Sequence, residues 1–490
     1  MAISNPGGNL NSVPAPVQQT LTSNYIDFTS SDTSGWAQQF LPDLMNAESE
    51  VFGNRSVSGF LMQVGAEEAM TSDQIIWSEQ GRLHLSYQGD IAGTASNGQI
   101  NITHDIDGNA QTTTHGVRVG DTIVVTSASL TVKCYVTVAA AGSQTITCIP
   151  YSASTLATAS FGNTDPVNIF VYGSEFGKGT SGQGSSSTAN KSIKPSFQSF
   201  SNKPVIIKDY YEISGSDASQ IGWVEVSGEA GQAGYMWYLK AEGDTRVRYA
   251  DKLEMTLVEA EFAVATSTVE NSLGLDASTT GKDAGTEGLF AAINDRGNIT
   301  DGVDGTSAAT DFAEFDLILA EFDRQGSIEE NMMFLNRDTS LAIDDMLASI
   351  NSGYSGGTSY GVFQNSEQMA LNLGFMGFRR GSYDFYKTDW KYLNDKSTRG
   401  GILDAVNKIR GIIVPAGVSS VYDQMLGRNM MRPFLHVRYR ASQMEDRYMK
   451  TWITGSVGAV TSDLDAMGVN YLSERCLVVQ GANNFMLFQG

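Results

Sequence analysis

The chain has 490 residues, 41% hydrophobic and 10% aromatic, enough for two to four domains with a sizeable core and too apolar for wholesale disorder. A formal charge of −22 opposes a polyphosphate partner, because nucleic-acid affinity rests largely on basic residues that displace counterions. No stretch approaches the roughly 18 consecutive apolar residues of a membrane-spanning helix. Cys134, Cys148 and Cys476 have no metal or redox spacing, and their odd number fits a reducing place of synthesis better than a disulfide framework. His84, His104, His115 and His436 are few for an enzyme of this length, and 51 glycines lean the composition towards a structural role.

The first residues, MAISNPGGNLNSVPAPVQQTL, lack the basic start and apolar centre of a secretory signal and are expected to form a mobile arm. Trp36, Phe40, Leu41, Leu44 and Met45 then recur at helical steps. From about 81 to 172 the pattern is β. Leu130, Val132, Cys134, Val136 and Val138 alternate with polar residues, and the turn AAAGSQ leads into TITCI, which predicts a hairpin within an inserted β module over 92–170. A Gly- and Ser-rich stretch follows, running to PVIIKDYYEIS.

Beyond it Met236, Leu239, Gly243, Val247, Ala250, Leu253, Leu257, Ala260 and Val264 step by three and four, which predicts an amphipathic helix of roughly 40 Å, bent or broken at Gly243. A polar loop spans about 274–309. Phe312, Phe315, Leu319 and Phe322 mark the next helix, and MMFL at 332–335 reads as a short buried strand. A helix with Ile343, Met346, Leu347 and Ile350 on its buried face comes next. FMGFRRGSYDFYK and PFLHVRYR read as strands, and ERCLVVQGANNFMLFQG as a hairpin turning at 481–484.

Motifs with chemical meaning fail on context. YGSEFGKGT, at 172–180, nearly matches a phosphate loop, but only three residues separate Gly173 from Gly177, and Gly179 stands between Lys178 and Thr180. SGYSGGTSYG places Ser355 and Ser359 in G-x-S-x-G matches, yet a helix precedes them where a nucleophile elbow needs a strand. HDIDGN and DRGNITDGVDG group oxygen ligands without completing a calcium loop, so polar turns are expected there. FRRGSYDFYKTDWKYL interleaves basic and aromatic residues, but its Asp384 and Asp389 favour a sheet surface with cross-strand pairs over base stacking. No catalytic residue, cofactor or metal ligand emerges.

The order of features is more informative: an arm, a β-rich segment ending in a long polar loop, one very long helix, then an α/β domain closing on strands. In this order, and in FGNRSVSGFLM, GSEFGKGT…NKPVIIKDYYEISGS, TEGLFAAI, ENMMFLNRDTSLAIDDML and YLSERCLVVQGANNFMLFQ, the chain resembles the major capsid proteins of tailed bacteriophages, whose Johnson fold is shared with herpesvirus shells. It is most similar to coat proteins of large phages with an added β domain, the crAss-like group and marine relatives being candidates.

The resemblance implies an α+β fold with an N-arm at 1–50, the start of a peripheral domain at 51–91, an inserted β-rich domain at 92–170 and an extended intersubunit loop at 171–218. It further implies a peripheral domain with a spine helix at 219–284, an axial domain at 285–430 and return strands at 431–490. Hexamers and pentamers of an icosahedral head around double-stranded DNA would follow, assembled in the host cytoplasm and located in the virion. Partners would be many copies of the chain, a separate scaffolding protein, a portal and decoration proteins, with DNA enclosed but not specifically bound and no membrane contact. Another phage assembly protein (tail tube, sheath or adhesin) and a serine hydrolase using Ser355 or Ser359 are the rival readings. Between Gly173 and Lys208 the chain carries Lys178, Lys191, Lys194, Lys203 and Lys208 against the single acid Glu175, so this segment is expected to contact acidic surface on identical copies.

Overall fold

The computed structural model describes residues 56–490 except 65, 107, 112–114, 141, 180–196, 217–225, 228–232, 235–236, 266, 276–283, 304, 306, 327, 354–376, 403–407, 417, 424–427 and 458–459. The expected arm and its Trp36–Met45 helix therefore lie outside the described residues. The chain divides into a larger unit, Met1–Ile75 with Ser201–Gly490, and a smaller one, Ile76–Phe200.

A short helix, α1 (Phe60–Val64), precedes β1 (Ala66–Met70), and β2 (Ile75–Gln80) leads into the smaller unit. There β3 (Ser86–Ile91), β4 (Gln99–Asp105), β5 (Asp121–Thr126), β6 (Thr131–Ala139), β7 (Thr145–Pro150) and β8 (Pro166–Ser174) close a barrel in the order β3-β4-β7-β6-β5-β8. Closure removes the exposed strand edges that would otherwise invite pairing with other chains. Alternation decides which residues fill the barrel: Ile91, Ile100, Ile102, Ile123, Val125, Cys134, Val136, Ile146, Cys148 and Ile169 are all buried. Gly89 is required where β3 meets β4, since a Cβ there would stand 2.1 Å from the carbonyl oxygen of Asn101. The hairpin expected from alternation is β6 with β7, and a bulge at Val136–Val138 shifts its register. β9 (Phe197–Asn202) pairs with β2.

In the larger unit β10 (Val205–Ser214) alternates strictly between half-buried and exposed positions until Ile213. A two-strand pair, β11 (Val226–Ser227) and β12 (Ala233–Gly234), precedes α2 (Trp237–Glu259). Its 23 residues span roughly 35 Å, shorter than the helix expected through Val264, which stands outside it and is exposed. The buried face also differs from the expected one. Tyr249, Leu253, Leu257 and Val258 are buried, whereas Val247 is 44% exposed. The apolar steps did not register two acids, Asp251 and Glu254, that are buried on this helix as well.

After α3 (Val269–Ser272) come α4 (Leu289–Arg296), β13 (Asn298–Thr300), α5 (Ala308–Gln325), β14 (Glu330–Leu335) and α6 (Arg337–Gly353). Ser307 caps α5 by accepting from the Thr310 N–H, and Gly326 closes it in the left-handed conformation. β15 (Gly377–Arg380) and β16 (Tyr383–Asp389) form a hairpin, followed by α7 (Lys391–Asn394), β17 (Ile409–Pro415) and a hairpin of β18 (Val418–Asp423) with β19 (Arg428–Pro433). The chain ends with β20 (Leu435–Arg440), β21 (Lys450–Gly455), β22 (Ala466–Val479) and β23 (Met486–Gln489).

Two sheets organise this unit. One has the order β1-β20-β22-β10, with β21 also on β22; the other runs β13-β23-β17-β14-β16-β15. The expected terminal hairpin is absent. β22 belongs to the first sheet and β23 to the second, because Gly481 (φ 60°) and the tight turn Ala482–Asn484 redirect the chain. One core joins Leu435, Val437, Leu477 and Val479 of the first sheet to Phe334, Ile412, Val414 and Leu487 of the second, with Leu257 and Val258 of α2. A second core packs Phe315, Ile318 and Phe322 of α5 and Ile343 and Met346 of α6 on Phe378, Phe385 and Ile413. The basic and aromatic run 378–386 is thus a sheet hairpin, as its cross-strand pattern predicts. Phe378 stacks on Phe385 at 5.3 Å, Tyr383 donates to Asp323, and Arg380 pairs with Asp316.

The segment before α1 is held by the two buried acids of α2. The backbone N–H groups of Val57 and Ser58 and the Ser56 hydroxyl donate to Asp251 Oδ1 at 3.1, 2.9 and 2.8 Å. Gly59 and Phe60 donate their N–H groups to the two oxygens of Glu254 at 2.7 and 3.0 Å. Gly59 makes this possible through φ +128°, a conformation closed to other residues at little cost. Burial pushes the Glu254 carboxyl above its ordinary value, opposed by these two N–H groups. Phe60 then stacks on Trp390 and meets Phe334 edge-on, both at 4.6 Å. Glu254→Ala leaves two N–H groups without acceptors, and we expect a loss of about 2–4 kcal/mol in urea denaturation. Glu254→Gln, which keeps one acceptor, should lose less.

Candidate assembly interface

The residues expected to carry intersubunit contact divide between the two units. Glu175 and Lys178 follow β8 in the smaller unit, whereas Lys203 and Lys208 flank and enter β10 in the larger. Lys191 and Lys194 lie outside the described residues, as do Ser355 and Ser359. Of the stretch 171–218 expected as one loop, residues 171–174, 197–202 and 205–214 are in strands.

Glu175 is fixed to the barrel. Its N–H donates to the Gly120 carbonyl at 2.9 Å, and its carboxylate accepts from the Tyr151 hydroxyl at 2.5 Å. That acceptor holds the exposed Tyr151 hydroxyl protonated, pushing its pKa up to about 12. Phe176 covers Gly120, where a Cβ would lie 2.5 Å from the ring. Beyond this anchor Lys178 is exposed in a turn whose Gly179 has φ +77°.

At the other end Asn202 is wholly buried and acts as a knot. Its amide donates to the carbonyls of Glu287 and Leu477 at 2.9 and 2.6 Å, and its oxygen accepts from the Lys203 N–H and the Thr286 hydroxyl. Lys208 then lies on the exposed face of β10, while its neighbour Asp209 faces α2. Asp209 accepts from Lys252 Nζ at 2.7 Å with Arg248 at 3.8 Å. Burial alone would raise the Asp209 carboxyl, but the Lys252 hydrogen bond, the Tyr210 N–H and the two nearby charges together hold it below 3.8. The Tyr249 hydroxyl donates to the Ile207 carbonyl at 2.9 Å, and its ring lies 5.5 Å from that of Tyr471. The helix is therefore pinned to β10 by two ion pairs on Asp209 and one hydrogen bond, and to β22 by an aromatic contact.

An ionic ladder crosses the same sheet. Glu474 of β22 meets Arg440 of β20 at 3.2 Å and Arg447 at 2.9 Å, and Arg438 meets Glu68 of β1 at 2.5 Å. Arg475 donates to the Ser473 hydroxyl and to the Tyr448 carbonyl. Sequence reasoning missed this ladder. Its signal was present in PFLHVRYR, whose alternate arginines share one face of a strand, but their acidic partners are remote in sequence.

Of the two acidic motifs expected as polar turns, HDIDGN is one, whereas DRGNITDGVDG holds the end of α4 and the strand β13. Asp105 accepts from the backbone and side chain of Asn109, closing a polar turn. Among the described residues no group of three or more His, Cys, Asp or Glu side chains could hold a metal ion. His436 is buried within β20, and the three cysteines are free and buried. No helix of the described residues is long and apolar enough to cross a membrane.

No protein-family profile matches the chain, and no curated protein matches it. Among solved structures it is similar to a chain of Mycobacterium phage Ogopogo, with 9% identity, a TM-score of 0.41, and coverage of 92% of this chain and 97% of that one. The structure titled "Asymmetric unit of bacteriophage PhiM1 mature capsid" is similar at 8% identity and a TM-score of 0.40, covering 91% of this chain and 90% of that one. "Capsid structure of the Cyanophage P-SCSP1u" is similar at 8% identity and a TM-score of 0.38, covering 95% and 98%. The two titles name capsids, the class of protein the sequence resembles; at these scores the likeness sets no residue correspondence.

The low Asp209 pKa has a pH consequence. Its contribution to stability is present above the unfolded carboxylate value and is lost as pH falls through the lower folded one. Asp209→Asn should cost about 0.5–1 kcal/mol at pH 7, because the Lys252 partner is 42% exposed. The same variant should flatten the fall in denaturation midpoint that the parent shows below about pH 4.

Proposed function

We propose that the chain is a major capsid protein of a tailed bacteriophage, one that assembles in many copies into a closed shell. The observation that carries this reading is α2, a 23-residue helix pinned along β10 of a sheet that draws strands from both ends of the described chain. A unit of this form is built to present edges and faces to neighbours. The six-stranded barrel, placed in sequence between the paired strands β2 and β9, is an independent body added to that frame.

In this reading hexamers and pentamers form the shell, double-stranded DNA is enclosed, and a separate scaffolding protein guides assembly in the host cytoplasm. The net charge of −22 suits a container that must let its cargo pack and leave, since it offers little to displace counterions. Lys178, Lys191, Lys194, Lys203 and Lys208, with Glu175, form the segment assigned to contact between copies. Complementary charge would steer that encounter, and the ordering cost would be offset by buried interface.

Expression with and without a candidate scaffold, imaged by electron microscopy, tests the reading. Closed shells or capsomer rings are expected, and monomers under every condition would sink it. Replacing residues 180–196 by a short Gly-Ser linker should leave the melting temperature within a few degrees of the parent while closed shells are lost. Normal shells from that variant would refute the assigned role of the segment.

A further inference from the structure

The face of β10, β22 and β21 that points away from α2 carries an arrangement of which the assembly assignment uses Lys208 alone. Register places its side chains in rows, because residues directly opposite on neighbouring strands share a face. Lys208 of β10, Leu472 of β22 and Lys450 of β21 form one row, and Tyr210, Asn470 and Trp452 form the next. Glu212, Gly468 and Thr454 form the third. Tyr210 and Trp452 are 43% and 37% exposed, so two aromatic side chains stand open to solvent two strand spacings apart. The backbones of their strands are roughly 10 Å apart, and the exposed rings flank Asn470 of the strand between them.

The floor and rim are polar and of mixed character. Gly468 lets the Tyr210 ring lie down across the middle strand, since a Cβ there would stand 2.5 Å from the Tyr210 hydroxyl. Asn470 donates through Nδ2 to Thr454 Oγ1 at 3.1 Å, which fixes the amide and turns its oxygen into the available acceptor. The Tyr210 hydroxyl donates to Glu212 at 2.5 Å, and Lys450 pairs with Glu445 at 2.8 Å while lying 5.8 Å from the Trp452 ring centre. Lys208 is exposed at one end. A shallow hollow of about 390 Å³ results, lined by Lys208, Tyr210, Trp452 and Asn470 together with Asp209 and Tyr471, whose side chains turn towards α2.

We infer that this hollow is a binding site for a neutral saccharide, with one pyranose ring held between Tyr210 and Trp452. The C–H edges of a pyranose carry partial positive charge and fit the negative faces of aromatic rings. Sugar hydroxyls both donate and accept, which suits a rim that offers an ammonium, a carboxylate and an amide oxygen together. A nucleotide would also fit between two rings, but Lys450 is already paired and the chain as a whole carries −22, so a phosphate finds little to neutralise it. A shallow open site with few anchored polar groups predicts weak binding, with Kd on the order of 1 mM.

The test uses the full chain in saturation-transfer NMR against maltotriose, cellotriose and chitotriose, with a glycan array to widen the panel. At least one neutral glycan should show transfer concentrated on its C–H protons. Trp452→Ala and Tyr210→Ala should each weaken binding about tenfold or abolish it. Tyr210→Phe and Trp452→Phe, which keep a ring and the strand, should retain most of it and show that the fold is intact. Unchanged transfer in both alanine variants would overturn the assignment, and so would silence across the whole array. Binding of a dT5 oligonucleotide or ATP in place of every glycan would overturn it too, and would make the hollow a nucleotide site instead.

Discussion

Two carboxylates buried on α2 set the terms for the larger unit. A buried carboxylate is costly unless hydrogen bonds replace its hydration. Asp251 and Glu254 meet that demand by taking donors from a segment almost 200 residues earlier in sequence, Ser56 to Phe60. The helix thereby fixes where the chain enters, α1 is placed so that Phe60 reaches Trp390 and Phe334, and β1 follows at the edge of the sheet beside β20. A leucine pair at 251 and 254 would satisfy the helix and leave the entering strand without a register. Polar burial here specifies position more than it adds stability.

Much of the local structure was legible from the sequence, and the reasons are local. Alternation at 130–138 and the turn after it yield β6 and β7; the apolar run MMFL yields β14; Phe315 and Phe322 mark α5. What was not legible depends on partners far away in the chain. α2 has its apolar face misread because Asp251 and Glu254 look like solvent positions until their backbone donors are known. The final strands look like a hairpin because apolar runs around a Gly-Asn turn usually pair. Whether they pair or part is decided by the strands that flank each of them, β20, β21 and β10 for β22 and β13 and β17 for β23, a property of the whole unit. The candidate site shows the same division. The lysines and Glu175 were visible as a charge pattern, whereas the row of Tyr210, Asn470 and Trp452 exists only through the β10–β22–β21 register.

Polar side chains do different work in the two units. The barrel core is mostly apolar, with Asp121 and Thr122 of β5 buried as well, so closure rests largely on shape and on glycine where strands approach too closely. In the larger unit the joins between remote segments are made by single polar residues: Asn202 ties β9 to the segment before α4 and to β22, Asp209 ties β10 to α2, and Glu474 ties β22 to β20 and the loop before β21. A barrel tolerates hydrophobic exchange of similar volume. A polar join does not, because removing one partner strands the other.

The first sheet also constrains how the molecule is made. β1 pairs with β20, and Asp73 meets Arg440 across a sequence separation of 367 residues. β22, between β20 and β10, is synthesised long after β1 and β10. On a translating ribosome the barrel can close as soon as its own strands emerge, whereas β1, α1 and β10 must wait unpaired for the C-terminal strands. Contacts of such long range slow folding, and unpaired strand edges held open in the meantime favour aggregation. Yield of the native chain should therefore be governed by how well β1 and β10 are shielded during synthesis, a kinetic burden imposed by the topology.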